Sequence, residues 1–264
     1  MWRYPSAKTG EEFTIPDNVK EIKYNAFRAN QFLGKVTISK DVTSIHTYSF
    51  DSCVEQTEFI VDDNNQSYSS SDGILYDKDK TTLVRYPIAK SGTSYDVPSY
   101  VESLLACAFA GCANLESVSI HDGVEMANCV FQDNKVIKSV TLPTDLVEIP
   151  GQTFQGCSSL TSVEIPSSVT SIEHQAFQSC LSLTTITIPN GVTTIEGTIF
   201  SGCSGLTSIY IPKSLTTIED YAFYYCSKLS EVKYGGSEED RSGITIGTNN
   251  DKFNNATWSY NQEP

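Results

Sequence analysis

The residues of this 264-residue chain that could do chemistry are eight cysteines and three histidines. A cysteine hydrolase needs an activated thiolate beside a base, and a zinc site is usually built from close pairs such as Cys-x-x-Cys or His-x-x-x-His. Neither pair occurs, and His46, His121 and His174 lie far apart in the chain. We therefore expect no catalytic residues, no metal ligands and no cofactor, so that the protein is not an enzyme.

Two runs rich in Asp and Asn, residues 62–65 and 249–251, could supply oxygen ligands for calcium. They lack the order of an EF-hand loop and its glycine. Asp and Asn also favour turns through bonds to their own backbone. We interpret both runs as turns.

The spacing of the cysteines indicates a structural role. Six of them lie three residues after a phenylalanine: Cys53, Cys112, Cys157, Cys180, Cys203 and Cys226. Asn30 and Asn134 occupy the same position after Phe27 and Phe131. Cysteine and asparagine share a compact side chain that can donate a hydrogen bond. The pattern predicts an internal ladder of reduced, buried thiols that satisfy loop carbonyls.

Cys107 and Cys129 lie outside this ladder, each two residues before the phenylalanine of its own unit. Stacked strands are about 4.8 Å apart, which falls within the Cα separation that a disulfide needs. The sequence leaves open whether these two cysteines are bridged or free.

The units themselves repeat every 23 residues. The pairs Ile165-Pro166, Ile188-Pro189 and Ile211-Pro212 mark the period, and a fixed period of this length is the signature of a solenoid. Within one unit, Val163 and Ile165 alternate as in a short strand, which the proline ends. Residues 169–172 fit a second short strand or an extended turn. Residues 176–180 fit one tight helical turn.

This repeat, L-T-S-[VI]-x-I-P-x-x-V-T-S-I-x-x-x-A-F-x-x-C, resembles the BspA-like bacterial leucine-rich repeats from about Phe13 to Leu229. The resemblance implies a curved leucine-rich-repeat solenoid, export to the cell surface, and adhesion or binding of a host protein. We expect a β-rich right-handed stack of 23-residue units with short helical turns, one hairpin-bearing irregular unit and a C-terminal cap.

The period is interrupted once, between Phe50 and Phe109. The extra residues hold two apolar runs around Asp77-Lys-Asp-Lys80, which predicts a β-hairpin that projects from the stack or inserts as an irregular unit. We expect one domain, 1–264, with first repeats at 1–59, a hairpin insertion at 60–94, regular repeats at 95–232 and a cap at 233–264.

The start of the chain, residues 2–16, resembles residues 84–98 at an offset of 82. We expect the chain to be a fragment that starts inside a hairpin-bearing unit. No signal segment or apolar stretch of membrane-spanning length is visible in it, so we expect no direct membrane insertion by this fragment.

Charge and surface define the expected partner. Lys and Arg number 18 against 32 Asp and Glu, and the net charge of −14 disfavours nucleic acid and anionic lipid as partners.

The outward residues of the strands would form a shallow polar face suited to an extended protein or glycan. Aromatic anchors supply much of the energy at interfaces; they gather near the C-terminal end at Tyr210, Tyr221, Tyr224, Tyr225 and Tyr234, where each could instead pack against the next turn or the cap. The candidate binding residues are Ser162, Glu164, Thr185, Thr187, Ser208, Tyr210, Glu231, Lys233 and Tyr234.

The function that these observations favour is a non-enzymatic adhesion module, extracellular or on the cell surface, that recognises a host or neighbouring-cell protein. Two alternatives stay open: a structural spacer that presents another domain, and a glycan-binding module.

Overall fold

A computed structural model describes residues 4–264, and it is a β-solenoid built from two rows of short parallel strands. Met1, Trp2 and Arg3, which belong to the segment matched at the offset of 82, lie outside the described residues. The first row carries the apolar alternation of the repeat. Its strands are β1 (Glu12–Thr14), β3 (Lys35–Ile38), β5 (Glu58–Val61), β9 (Ser94–Asp96), β11 (Ser117–Ser119), β13 (Ser139–Thr141), β16 (Thr185–Thr187), β18 (Ser208–Ile211), β20 (Glu231–Tyr234) and β22 (Thr257–Ser259).

The second row of strands is formed by the part of the repeat that corresponds to residues 169–172. The sequence left open whether this part is a short strand or an extended turn, and in the structure each regular unit forms a strand of two residues there. These strands are β2 (Glu21–Ile22), β4 (Ser44–Ile45), β10 (Ser103–Leu104), β12 (Glu125–Met126), β14 (Glu148–Ile149), β15 (Ser171–Ile172), β17 (Thr194–Ile195), β19 (Thr217–Ile218) and β21 (Thr245–Ile246). Between the rows, the repeat proline ends the first strand and its carbonyl accepts a turn hydrogen bond, as from Val192 N to Pro189 O at 3.1 Å.

The 23-residue period sets the strand register. Ile186 pairs with Ile209, and Ile209 pairs with Val232, so equivalent side chains stack into one buried apolar row. One prediction was wrong here: residues 161–166 form no strand, although Val163 and Ile165 are buried as expected. Two long backbone hydrogen bonds connect this unit to its neighbours. Thr161 N donates to Lys138 O at 3.3 Å, and Thr184 N donates to Thr161 O at 3.4 Å. The first-row sheet therefore ends at β13 and restarts at β16.

The segment around the repeat phenylalanine is a chain of tight turns and not the predicted helical turn, except for one 3₁₀ helix at Thr47–Phe50. Residues two positions before and two positions after the phenylalanine adopt left-handed backbone angles, as Gln175 (φ 56°) and Ser179 (φ 59°) do around Phe177. A left-handed residue cannot continue a right-handed helix, and this alternation explains why the helical prediction fails.

The repeat phenylalanines form a continuous column of stacked rings. From Phe109 to Phe223 the ring centroids of successive units lie 5.3–5.6 Å apart with interplanar angles of 18° or less. Tyr86 precedes this column, and Phe253 of the cap closes it at 4.5 Å from Phe223. A shorter column, Tyr4, Phe27 and Phe50, lies in the N-terminal units.

The predicted thiol ladder is present in the structure for five of its six cysteines; the sixth, Cys112, is buried, but its Sγ makes no such hydrogen bond among residues 4–264. Cys53, Cys157, Cys180, Cys203 and Cys226 each donate a hydrogen bond from Sγ to the carbonyl of a phenylalanine in the preceding unit, at 3.0–3.1 Å. Asn134 donates in the same way to Phe109 O at 3.3 Å. All eight cysteines are free and buried, so Cys107 and Cys129 are not bridged.

The irregular unit inserts into the stack as a β-hairpin and does not project from it. Strands β6 (Tyr68–Ser71), β7 (Ile74–Asp77) and β8 (Thr82–Arg85) are antiparallel, and β8 continues the second row by pairing in parallel with β10. Leu75 and Val84 pack into the N-terminal core, whereas Ile74, Tyr76 and Leu83 pack into the C-terminal core. The hairpin therefore separates two apolar cores.

The C-terminal residues cover the last unit. Helix α1 (Glu238–Arg241) begins with a capping box between Ser237 and Asp240, and α2 (Asp251–Asn254) buries Phe253. Trp258 of β22 packs on Phe253, and the Arg241 guanidinium lies 4.1 Å from the Trp258 ring centroid. Solenoids need such a cap because an open end would expose the core. Within residues 4–264, no helix is long and apolar enough to cross a membrane.

Candidate functional site

The outward residues of the first-row strands form a strand face that is polar and smooth, as the sequence predicts. Thr185 pairs with Ser208, which pairs in turn with Glu231. In the same way Thr187 pairs with Tyr210, which pairs with Lys233. Thr185, Thr187 and Lys233 are exposed, while Ser208 and Glu231 are partly exposed. Ser162 and Glu164 are also exposed, although the segment that carries them forms no strand.

The two aromatic anchors predicted on this face are not available there. Tyr210 points outward but is only 7% exposed. Its hydroxyl lies against Gly235 of the cap, where an added Cβ would come within 2.7 Å of it. Tyr234 is 1% exposed because β20 continues the alternation, which turns Lys233 outward and Tyr234 into the core. The structure therefore does not bring the nine predicted residues together as one surface with aromatic anchors.

Exposed tyrosines lie instead on the edge formed by the phenylalanine turns. Tyr221, Tyr224 and Tyr225, here called the tyrosine cluster, are 43%, 37% and 69% exposed. The Tyr224 ring lies 5.4 Å from that of Tyr221 and 4.0 Å from that of Tyr225. The spacing of these tyrosines around Phe223 was visible in the sequence, but the direction of their side chains depends on turn geometry.

The backbone of the tyrosine cluster is strained. Tyr221 and Tyr225 have φ angles of 61° and 59°. At the position of Tyr225 three other units carry a glycine, namely Gly111, Gly156 and Gly202, all with positive φ. A bulky residue in this conformation costs roughly 1–2 kcal/mol. Since Tyr225 is mostly exposed, core packing does not offset this cost.

A second feature of the same edge is a groove of about 520 Å³ beside the inserted hairpin unit. Tyr24 and Tyr48 form an aromatic wall, with ring centroids 5.9 Å apart, and Arg28 is ion-paired with Asp51 at 3.0 Å. The opposite wall holds the amide side chains of Gln132 and Gln152, which continue into ladders with the next units. This groove brings together residues from both sides of the hairpin, which no repeat spacing in the sequence predicts.

Two thiols lie under this groove. Cys107 and Cys129 are buried with Ala110 and packed against Tyr48, whose hydroxyl is 3.8 Å from Cys129 Sγ. The hydrogen bond from Cys107 lowers the pKa of Cys129 below its ordinary value, with a further contribution from Tyr48 and against the effect of burial. Burial, by contrast, raises the pKa of Cys53 to about 11 and that of Cys112 to about 12. Cys129 is thus the most acidic of these thiols.

The structure also assembles a group that the sequence analysis did not identify. Glu173, His174 and Glu196 lie together on the edge that follows the second-row strands. The signal that could have found them is the repeat itself, because Glu173 and Glu196 are 23 residues apart.

Comparison with known proteins supports the repeat assignment. The family described as BspA type Leucine rich repeat region matches in six copies, over residues 6–73, 89–129 and 124–240. A search of curated proteins finds no match.

Solved structures of bacterial leucine-rich repeat proteins are similar to the chain. A leucine-rich repeat protein from Eubacterium ventriosum is 28% identical with a TM-score of 0.81, and the match covers 96% of this chain and 66% of that one. A leucine rich cell surface protein from Faecalibacterium prausnitzii is 25% identical, with a TM-score of 0.62 and coverages of 89% and 62%. The pneumococcal vaccine antigen PcpA shares the fold at 21% identity, with a TM-score of 0.77 and coverages of 96% and 68%.

Proposed function

Because the chain belongs to the BspA-type leucine-rich repeat family, we propose that it is a non-enzymatic module that binds an extracellular protein at a bacterial cell surface. The solenoid is typically a scaffold for protein interaction and carries its contacts on extended edges and faces. The name of the similar protein from Faecalibacterium prausnitzii, a cell surface protein, supports this location.

The observation that carries the proposal is the tyrosine cluster. Tyr221, Tyr224 and Tyr225 place three adjacent aromatic rings in solvent, and two of them, Tyr221 and Tyr225, have a left-handed backbone that disfavours bulky residues. Strained residues that persist without packing often mark functional sites, and tyrosine is among the residues enriched at interface hot spots. We therefore place the main anchor of the partner on the turn edge and not on the strand face.

The net charge of the chain restricts the class of partner that it can bind. The net charge of −14 repels nucleic acid and anionic lipid surfaces. A basic partner would be attracted at low ionic strength and would associate more slowly as salt screens the interaction. The partner that fits best is a protein with a basic surface and an apolar or aromatic patch at its centre.

The proposal is tested by surface plasmon resonance with immobilised extracellular-matrix proteins and mucins at two ionic strengths. The informative variant is Tyr225→Gly, because glycine suits the left-handed backbone at this position. We expect this change to raise the free energy of unfolding by about 1 kcal/mol and to weaken ligand binding at least fivefold through faster dissociation. Since binding falls while stability rises, a loss of binding cannot be attributed to unfolding.

The control is Tyr100→Ser, which removes another exposed tyrosine, 46% exposed against 69% for Tyr225, from a different unit and should leave binding unchanged. If a ligand binds but Tyr225→Gly has no effect, the tyrosine cluster is not the anchor and the turn-edge groove beside Tyr24 and Tyr48 becomes the next surface to test. If wild-type protein retains no protein ligand at either ionic strength, the spacer role replaces binding.

Exposed aromatic rings also give a specific reason to test glycans, because sugars stack on such rings. Mucin with and without enzymatic deglycosylation separates the two possibilities. A response that disappears on deglycosylation would identify the glycan as the ligand, whereas a retained response supports a protein ligand.

A further inference from the structure

The edge of the solenoid that follows the second-row strands holds three potential metal ligands. One ligand atom each from Glu173, His174 and Glu196 lies within 4.8 Å of the other two. Glu173 and Glu196 are partly exposed and His174 is exposed, so the group is open to solvent.

The repeat explains how the group forms. Glu173, Glu196 and Glu219 each follow the last residue of a second-row strand. The register of β17 and β19 aligns Glu196 with Glu219, and a carboxylate oxygen of Glu173 lies within 4.8 Å of one of Glu196, although β15 does not pair with β17. His174 occupies a position that is glycine in both neighbouring units, Gly151 and Gly197. An added Cβ on Gly151 would approach His174 Cε1 to 2.7 Å. The imidazole therefore lies against Gly151, in a space that a side chain of the preceding unit would otherwise fill.

The group carries an uncompensated negative charge. Glu173, Glu219 and Glu148 lie close enough to Glu196 for their charges to act on it. Within the described residues, none of these four glutamates is ion-paired with Lys or Arg. Like charges in register on adjacent strands are destabilising, so a bound cation would relieve a real cost.

Hydrogen bonds orient the carboxylates around this space. Ser171 Oγ donates to Glu173 Oε1 at 2.7 Å, and the Gly197 amide donates to Glu219 Oε2 at 2.9 Å. Glu219 is thus held by the backbone, while a carboxylate oxygen of Glu196 lies within 4.8 Å of ligand atoms of Glu173 and His174. Outer-shell bonds of the Ser171 type fix metal-ligating carboxylates in known sites.

We propose that Glu173, His174 and Glu196 bind a divalent transition-metal ion, zinc in preference to calcium, in a surface site that bridges two adjacent coils. Nitrogen and carboxylate ligands about 2.0–2.1 Å from zinc lie roughly 3.3 Å from each other in tetrahedral geometry. Ligand atoms already within 4.8 Å reach this arrangement by side-chain rotation, and water completes the fourth position. The imidazole selects zinc, nickel or cobalt over magnesium and calcium, which prefer oxygen ligands.

The test is isothermal titration of the chelator-treated chain with zinc chloride, with cobalt chloride as a spectroscopic probe. We expect one zinc ion per chain in the micromolar range and a visible absorption band of four-coordinate cobalt. His174→Ala should abolish the cobalt band and weaken zinc binding at least tenfold, and Glu196→Gln should weaken zinc binding about tenfold. A large excess of calcium should not compete.

His121→Ala is the matched control, because His121 is a second histidine, and its two ring nitrogens are hydrogen-bonded to the backbone carbonyls of Asp122 (2.8 Å) and Pro98 (3.0 Å). It should bind zinc like wild type. Circular dichroism and urea midpoints without metal check that every variant is folded. The proposal is overturned if zinc does not bind below millimolar concentration, if His174→Ala binds as tightly as wild type, or if calcium displaces the ion.

Discussion

Replacing Asn134 by cysteine should stabilise the protein. Asn134 occupies the ladder position and donates from Nδ2 to Phe109 O at 3.3 Å. Its Oδ1 is buried and has no hydrogen-bond partner within the part of the chain that the structure describes. The next unit carries Cys157 at this position, and the Cys157 thiol donates to Phe131 O at 3.1 Å without an acceptor left over. The substitution Asn134→Cys keeps the donor and removes the unpaired acceptor.

The size of the effect follows from these two terms. An unsatisfied buried acceptor costs about 1–3 kcal/mol, which the substitution recovers. Exchanging the amide donor for the weaker thiol donor offsets part of this stabilisation, on the order of 0.5–1 kcal/mol. We expect the free energy of unfolding to rise by about 1 kcal/mol, and the Tm by about 2–4 °C.

Asn30→Cys is the matched control, because Asn30 occupies the same position with every group paired. Its Nδ2 donates to Pro5 O at 2.9 Å, and its Oδ1 accepts from the amides of Phe32 and Leu33. Cysteine there leaves two amides without an acceptor, so the variant should lose about 1–3 kcal/mol. Urea unfolding followed by circular dichroism measures both variants under reducing conditions. The reasoning is refuted if Asn134→Cys is destabilised to the same extent as Asn30→Cys.

Three further predictions concern the core, the thiols and the cap. Phe177→Ala should lower the free energy of unfolding by about 3–5 kcal/mol, because its ring lies between those of Phe154 and Phe200; Thr187→Ala, on the exposed strand face, should change it by less than about 0.5 kcal/mol, and equal urea midpoints would contradict the stacking. Alkylation of the native chain near pH 7.5, read by mass spectrometry, should label Cys129 before the ladder thiols, because the hydrogen bond from Cys107 lowers the pKa of Cys129 whereas burial raises the pKa of ladder thiols such as Cys53 and Cys157. Prior labelling of a ladder thiol would contradict this. Lys213, and then Ser237, lower the pKa of Asp240 to about 2. The Asp240 carboxylate therefore stabilises the fold at pH values above 3.8, the ordinary pKa of Asp, and this stabilisation is lost as the pH falls through about 2. The urea midpoint of Asp240→Asn should lie below that of wild type at pH 6 and meet it near pH 2.

The repeat spacing was sufficient to predict the solenoid and the thiol ladder. Each depends on a position repeated every 23 residues, and stacking makes such positions neighbours whatever the detailed turn geometry. The helical turn before Cys180 was predicted wrongly because a short apolar pattern does not reveal left-handed angles, which Gln175 and Ser179 adopt without being glycine.

The binding surface was less predictable because it depends on the non-repeating ends. Tyr210 follows the outward alternation of its strand, yet the cap at Gly235 covers it. Tyr234 was assigned to the wrong face because the end of strand β20 could not be located from a period that dissolves there. The groove beside Tyr48 depends on how two blocks of coils meet across the hairpin, and this relation has no sequence period.

The hairpin that separates the two cores also determines how the protein would carry mechanical load. The strands lie across the stacking direction. A force along that direction therefore loads the hydrogen bonds between neighbouring strands one at a time, so that coils separate one after another and whole strands do not slide past each other. Coils contact only their neighbours, and the ring column is interrupted between Phe50 and Tyr86. A force that pulls the ends apart should therefore release the N-terminal block at the hairpin first and leave the longer C-terminal block, with the tyrosine cluster, folded. On a surface exposed to flow, such a chain would lengthen at one point while keeping its proposed anchor intact.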